Sequence, residues 1–113
     1  MTIETFVINA LNEALSVFCY GSEPSPMPDS FVTVEQTGSR ITDRLKSATI
    51  VVDSWAPSRA EAMALNQTVE AAMADLAESP EISRCALNTS YNYPDEERKR
   101  PRYQAVFEIV HYL

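Results

Sequence analysis

The sequence is poor in the residues that most metal and phosphate sites depend on. Its 113 residues include only two glycines, two cysteines and one histidine. Two glycines are too few for a glycine-rich phosphate-binding loop, and two cysteines cannot build a disulfide-stapled scaffold. Cys19, Cys85 and His111 are isolated from one another, without the paired spacing of a tetrahedral zinc site. We therefore expect no metal and no cofactor.

Long apolar runs are also lacking. No stretch reaches the roughly 18 consecutive apolar residues of a membrane-spanning helix, so no membrane span is expected. The first residues, MTIETFVINA, carry one acidic side chain, Glu4, and no basic one, which is unlike a secretory signal peptide. Both cysteines are expected to be buried free thiols, which fits a protein made in the reducing cytoplasm.

Basic residues are scarce and unevenly placed. Nine Lys and Arg face sixteen Asp and Glu, for a formal net charge of −7, whereas general nucleic-acid binders are basic. Residues 1–39 contain no basic residue, and seven of the nine bases fall in two short segments. Those seven are Arg40, Arg44, Lys46, Arg98, Lys99, Arg100 and Arg102.

These two basic segments have several interpretations. They could be solvated turns without a function. If they project from the same edge of a sheet, the molecule has a basic edge and an acidic body, which favours head-to-tail contacts between copies or with an acidic neighbour. They could also face DNA in a channel, since phosphate contacts need only Lys or Arg. Among the functional interpretations we prefer protein contact, because aromatic residues for base stacking are few.

The charged turn carries a further expectation about stability. Exposed charges contribute only about 0–1 kcal/mol each to folding. Reversal of Arg98, Lys99 and Arg100 to Glu is therefore expected to leave the fold intact and to impair assembly.

Apolar residues at helical spacing predict two amphipathic helices. The first spans residues 2–16, with Thr2 as a plausible N-cap. The second spans about 57–78, begins near Ser54 or at the turn around Pro57, and ends before Pro80.

Alternating and β-branched residues predict four strands. They cover residues 31–37, 48–55, 82–93 and 103–113. The run from Thr49 to Val52 is apolar on both faces, which indicates a central strand that is covered at least partly on both sides. The third strand is expected to place Cys85, Leu87, Thr89, Tyr91 and Tyr93 on one face.

The predicted order of elements is α–β–β–α–β–β. Short connections favour antiparallel pairing, so the predicted fold class is α+β. We expect an antiparallel or mixed four-stranded sheet with two helices packed on it, in a single domain over residues 1–113. The polar segment at 38–46 is either an extended hairpin arm with its tip near Gly38-Ser39 or a mobile loop.

Catalytic chemistry finds little support in the residues. A nucleophilic mechanism needs Cys19 or Cys85 close to His111 and an orienting acid, and no local motif surrounds either thiol. Asp95, Glu96 and Glu97 lie in a charged turn, whereas acid–base catalysis needs carboxyl groups held in a water-poor pocket. We therefore expect a protein that is not an enzyme. A rival hypothesis is that the chain is a small hydrolase that uses Cys19 or Cys85 as its nucleophile.

The tyrosines beside the charged turn are candidate contact residues. Tyr91 and Tyr93 precede the turn, and Trp55 ends the central strand. Tyrosine and tryptophan are enriched at protein interfaces. The same residues could equally cap the core.

The order of these segments resembles a known family. A short helix leads through Tyr20-Gly21 into a proline-bearing loop, and a FVTVEQTG strand and a polar arm follow. The stretches TIVVDSWAPSRAEAMALNQTV and RPRYQAVFEIVHY come next. In this arrangement the chain is similar to the small tail-terminator or tail-completion proteins of long-tailed bacteriophages and prophages, also described as minor capsid or head–tail joining proteins.

The resemblance implies a structural role in the virion. Members of that family form rings, generally hexamers, that cap the tail tube and join it to the head connector. The implied partners are copies of the chain itself, the tail-tube protein and the head-connector protein, with DNA close by in the channel. The implied locations are the virion and, during assembly, the host cytoplasm. The alternative is a small α+β ligand-binding or regulatory module of a bacterium, with a hydrophobic ligand between helix and sheet.

Overall fold

A mixed five-stranded sheet with two helices on one face organises the chain. The computed structural model describes all 113 residues. The helices are α1 (Ile3–Ala14) and α2 (Arg59–Asp75), and a 3₁₀ turn at Leu76–Glu78 follows α2. The strands are β1 (Cys19–Tyr20), β2 (Phe31–Thr42), β3 (Leu45–Trp55), β4 (Ile82–Asn92) and β5 (Arg102–His111), in the sheet order β1-β2-β3-β5-β4. The predicted α+β class is confirmed.

The sheet has one strand more than the sequence predicts. Strand β1 runs parallel to β2, with Cys19 opposite Val32 and Tyr20 opposite Thr33. The Asn12 side chain fixes this strand, because its Oδ1 accepts from the Cys19 N–H at 2.8 Å and its Nδ2 donates to the Cys19 carbonyl at 3.2 Å. A strand of two residues has no periodicity of its own, so the four-stranded prediction was wrong in this detail.

Side-chain caps fix where both helices begin. The Thr2 hydroxyl accepts from the Thr5 N–H at 3.1 Å, as the sequence predicts. The Ser58 hydroxyl accepts from the Glu61 N–H at 3.2 Å and begins α2 directly after Pro57. Ser54, the other candidate, is instead fully buried in β3.

The hydrophobic core lies between the helices and one face of the sheet. Val7 and Leu11 of α1 and Val69 and Met73 of α2 are all fully buried. The facing positions of the sheet are Val32, Val34, Ile50, Val52, Ala105, Phe107 and Ile109. Burial of each large apolar side chain contributes about 1.5–3 kcal/mol. We call the other side of the sheet, which no helix covers, the open face.

Residues 38–46 form an extended hairpin rather than a mobile loop. Strands β2 and β3 stay paired from Gly38 opposite Thr49 to Thr42 opposite Leu45. The turn residues Asp43 and Arg44 have φ angles of 50° and 69°. Two consecutive positive φ angles are typical of the tight type I′ turn that joins two twisted strands. The tip is therefore at Asp43-Arg44, and the expected tip at Gly38-Ser39 was wrong.

Strands β2 and β4 each contain a bulge near the middle of the sheet. Thr37 of β2 is the extra residue between the pairs Gln36–Ile50 and Gly38–Thr49. Asn88 of β4 is the extra residue between the pairs Leu87–Phe107 and Thr89–Val106. Such bulges re-aim the side chains that follow them.

The bulge at Asn88 corrects the predicted face of β4. Cys85 and Leu87 lie opposite Ile109 and Phe107, on the side of the helices. Beyond the bulge, Thr89 lies opposite Val106 and Tyr91 opposite Gln104, on the open face. The prediction of a single face for Cys85, Leu87, Thr89, Tyr91 and Tyr93 was therefore wrong, because one inserted residue reverses a period of two.

Candidate interaction surface

The two basic segments lie at opposite ends of the sheet. Strand β3 pairs with β5 from Lys46 opposite His111 to Trp55 opposite Arg102. Nine residue steps along a strand span roughly 30 Å, and the molecule is 44 Å long. The two basic segments therefore do not project from the same edge of the sheet, as a single basic edge would require. The segment of Arg40, Arg44 and Lys46 and the segment of Arg98, Lys99, Arg100 and Arg102 must be considered separately.

At the second of these ends, aromatic rings form a row across the open face. Phe31 and Trp55 stack with 5.2 Å between ring centroids and 10° between ring planes. The Arg102 guanidinium lies 4.7 Å from the Trp55 centroid and 4.5 Å from that of Tyr93. Tyr20 packs edge-on against Phe31 at 6.1 Å, and Tyr91 packs edge-on against Tyr93 at 5.9 Å. We call these residues the aromatic row.

The aromatic row settles part of the question about the tyrosines and tryptophan. Trp55 is fully buried and its Nε1 donates to the Thr33 hydroxyl at 3.2 Å, so it belongs to the interior. Tyr91 and Tyr93 remain 39% and 47% exposed. Gln104 Nε2 also donates a short hydrogen bond to the Tyr91 hydroxyl. The two tyrosines thus form the exposed end of a row whose middle is buried.

Arg100 ties the proline-bearing loop to the aromatic row. Its guanidinium donates to the carbonyl oxygens of Pro28 at 2.8 Å and Asp29 at 3.0 Å. The same group lies 5.9 Å from the centroid of the Phe31 ring. Arg100 is therefore a structural residue that holds two distant segments together.

Its neighbour Arg98 is more exposed and is also paired. Arg98 forms ion pairs with Glu23 at 2.7 Å and Asp95 at 2.9 Å. Desolvation raises the pKa of Asp95, but the hydrogen bonds and the charge of Arg98 together outweigh it and lower this pKa below its usual value. Of the three bases chosen for charge reversal, only Lys99 has no partner within the chain. The triple reversal would therefore also remove the contacts of Arg98 and Arg100 within the chain, and the expectation that it leaves the fold intact stays a prediction.

The first basic segment has different surroundings. Residues 37–46 are ten consecutive exposed residues at the end of the β2–β3 hairpin, and we call them the hairpin arm. Ile41 is 70% exposed and Leu45 is 41% exposed. Lys46 donates to the carbonyl oxygen of Leu113. Arg40 and Arg44 form no ion pair with any acidic residue of the chain.

The open face between these two ends carries acidic side chains. Glu35 of β2, Asp53 of β3 and Glu108 of β5 lie on it. Gly21, Glu23, Thr33, Glu35 and Asp53 also line an open pocket of about 470 Å³. This pocket is acidic, because three of those five residues are carboxylates.

Asp53 is the most perturbed carboxyl group of the open face. Burial raises its pKa to about 6, Arg102 opposes that change, and Glu35 and Glu23 add to it. Its Oδ1 is buried and has no hydrogen-bond partner within the chain. Buried polar atoms are nearly always paired in native proteins. Asp53 was not among the predicted site residues, although a carboxylate after three β-branched residues, in IVVDSW, was a usable signal.

The thiols and the histidine do not meet. Cys19 lies beside Val32 at the end of the aromatic row, and His111 lies opposite Lys46 at the other end of the sheet. Burial raises the pKa of the Cys19 thiol to about 12 and that of Cys85 to about 11. His111 Nδ1 accepts a hydrogen bond from the Leu113 N–H at 3.2 Å. Burial lowers the pKa of His111, and the positive charge of Lys46 lowers it further. This arrangement does not activate either thiol as a nucleophile.

Neither a known family model nor a curated protein matches this sequence. No helix of the structure is both long and apolar enough to span a bilayer.

Proposed function

We propose that this chain is a structural protein of a long-tailed bacteriophage or prophage. In this proposal, copies of the chain oligomerise into a ring that ends the tail tube and joins it to the head connector. The resemblance of its segments to tail-terminator proteins supports this role, and it favours a hexameric ring. The protein would act in the virion through contacts with itself, the tail-tube protein and the head-connector protein, without transforming a substrate.

The hairpin arm is the observation that carries this proposal. It exposes ten consecutive residues, and both of its apolar side chains, Ile41 and Leu45, face solvent. The outer edge of β2 is unpaired along the arm, because β1 covers only Val32 and Thr33. Exposed strand edges are places where another chain adds or packs. A projecting hairpin with a free edge is therefore suited to contact with a neighbouring subunit.

The alternative function, binding of a hydrophobic ligand between helix and sheet, has less support. Side chains of the helices and the sheet fill that region, and Val7, Val69 and Met73 are each fully buried there. The acidic pocket described above lies on the opposite face of the sheet. A ligand-binding module would need an apolar pocket with a few convergent polar groups.

Deletion of the gene from the phage or inducible prophage that encodes it tests the proposal. Electron microscopy of the lysate is expected to show filled heads and separate tails, and plaque counts should fall to background. Supply of the wild-type chain in trans should restore joined particles. Normal joined particles after deletion would refute the proposed function.

A shortened hairpin tests whether the arm matters for that role. Replacement of residues 41–46 by Asn-Gly would close the hairpin with a two-residue turn between Arg40 and Ser47, which face each other as the same kind of pair as Thr42 and Leu45. This variant should fold, as circular dichroism would verify, and should fail to restore joined particles. Full restoration would show that the arm is dispensable for joining.

A further inference from the structure

We propose that the hairpin arm of one copy docks on the acidic open face of a second copy, where Arg40 and Arg44 pair with Glu35 and Asp53. This contact would build the ring of the proposed function. The inference rests on that proposed function only for what the ring does in the virion. The contact itself follows from surfaces of this chain.

The arm supplies cations that lack partners. Arg40 and Arg44 are exposed and form no ion pair within the chain, whereas Arg98, Arg100 and Arg102 all have intramolecular partners. Arginine presents a planar fork of donors that fits a carboxylate. The arm is thus a basic element on a protein whose net charge is −7.

The acidic pocket supplies the complementary acceptors. Glu35 is exposed and has no cationic partner in the chain. Asp53 Oδ1 is buried beside it without a hydrogen bond. A guanidinium that enters the pocket would satisfy this oxygen and would neutralise part of the acidic cluster. Two independent features, the charge and the unpaired oxygen, therefore point to the same kind of occupant.

The positions of the two surfaces require a second molecule. Lys46, two residues from the tip of the arm, and Asp53 in the pocket are seven residues apart on the same strand, a separation of roughly 24 Å. Strand β3 is paired on both sides between them, so the arm cannot fold back onto its own pocket. Each copy therefore offers an arm to one neighbour and a pocket to another. Such a head-to-tail contact closes into a ring if the rotation between copies allows it.

Apolar side chains support the same contact. Ile41 and Leu45 are exposed on the arm. Val51 and Val106 are half-buried on the open face and lie opposite each other there. Contact of the arm with this face would remove apolar surface from water on both partners. An acidic surface of this kind would repel DNA, so we favour a second copy of the chain as the occupant.

Sedimentation velocity of complementary charge variants tests this contact. The wild-type chain is expected to sediment as an oligomer. The arm variant R40E/R44E places acids against an acidic face, and the face variant E35R/D53N places an arginine against a basic arm. Each variant alone should sediment as a monomer. An equimolar mixture of the two should recover the oligomer, because every contact in it joins opposite charges.

A matched control separates this contact from a general effect of charge. The variant R59E/K99E reverses two exposed bases outside the arm and the open face, with the same change in net charge as R40E/R44E. It should sediment like the wild type, and circular dichroism of all variants should match. The inference is overturned if R40E/R44E remains an oligomer, if the mixture stays monomeric, if the control also dissociates, or if the wild type is a monomer at high concentration.

The outcomes for contact and function are distinguishable. Oligomers that survive the arm and face variants would overturn the docking inference, while a deletion phenotype with unjoined heads and tails would still support the proposed function. Recovery of oligomers in the mixture, together with normal particles after gene deletion, would support the contact and refute the role in the virion.

Discussion

The two ends of the sheet use similar basic residues in different ways. At the end of the aromatic row, Arg100 and Arg102 lie against aromatic rings and donate hydrogen bonds to backbone carbonyl groups. At the other end, Arg40 and Arg44 of the hairpin arm have no partner in the chain. The difference arises from neighbours that are distant in sequence. Composition alone therefore cannot tell a structural arginine from one that is free to bind.

The same contrast holds for apolar side chains. Phe31 and Trp55 are fully buried in the aromatic row, while Ile41 and Leu45 of the arm are exposed. The proline-bearing loop and the charged turn cover one end, and no segment of the chain covers the other. Apolar side chains are therefore buried within the chain at the end of the aromatic row, whereas the hairpin arm leaves apolar surface exposed to solvent at the other end.

The largest expected effect comes from truncation in the aromatic row. Trp55→Ala removes a fully buried ring that contacts Phe31 and Arg102, and it should lower the free energy of unfolding by about 3–5 kcal/mol. Ile41→Ala in the arm should change it by less than about 0.5 kcal/mol. Urea unfolding at a concentration where the protein is monomeric measures both. Equal losses of unfolding free energy in the two variants would show that the arm is as tightly packed as the aromatic row.

A smaller effect is expected when the arginines of the two ends are compared. Arg100→Ala removes two hydrogen bonds from a charged group to Pro28 and Asp29, which should cost about 2 kcal/mol. Arg44→Ala removes no such bond and should cost less than about 0.5 kcal/mol. The measurement is again urea unfolding of the monomer, with R100K as an intermediate case. A change below 0.5 kcal/mol for Arg100→Ala would mean that the loop is held by other contacts.

The smallest of these effects concerns the buried charge of Asp53. Its pKa is raised from 3.8 to about 6 in the folded protein. The folded state therefore binds more protons than the unfolded state between these values, and this group's contribution lowers stability as pH rises from about 4 to 6. Asp53→Asn should remove that loss and stabilise the monomer by about 1–2 kcal/mol at pH 8.

Thermal unfolding of the monomer between pH 4 and pH 8 measures this difference. Asp43→Asn at the exposed tip of the arm is the matched control, because asparagine also tolerates the positive φ angle there. It should leave the pH dependence as in the wild type. A parallel pH dependence for Asp53→Asn and the wild type would contradict the assignment to Asp53.

Local signals were sufficient for the regular elements of the fold. Thr2 caps α1 as predicted, and the β-branched run in β3 marks the central strand, because capping and burial leave their pattern within a few residues. Strand β1 and the bulges at Thr37 and Asn88 depend on pairing with distant segments, so no periodic pattern in the sequence indicates them. The open pocket was missed for a similar reason, since Glu23, Glu35 and Asp53 come together only in the folded sheet.

The inserted residue at Asn88 decides which side of β4 carries the tyrosines. Loss of the bulge at unchanged chain length, with Asn88 paired opposite Val106, would turn Tyr91 and Tyr93 towards α2, where Ser90 now accepts a hydrogen bond from the buried Asn66. Arg102 would then lose the ring on one of its two sides. This strand should accordingly tolerate removal of Asn88, which leaves Leu87 opposite Phe107 and Thr89 opposite Val106, yet reject removal of a paired residue such as Ser90.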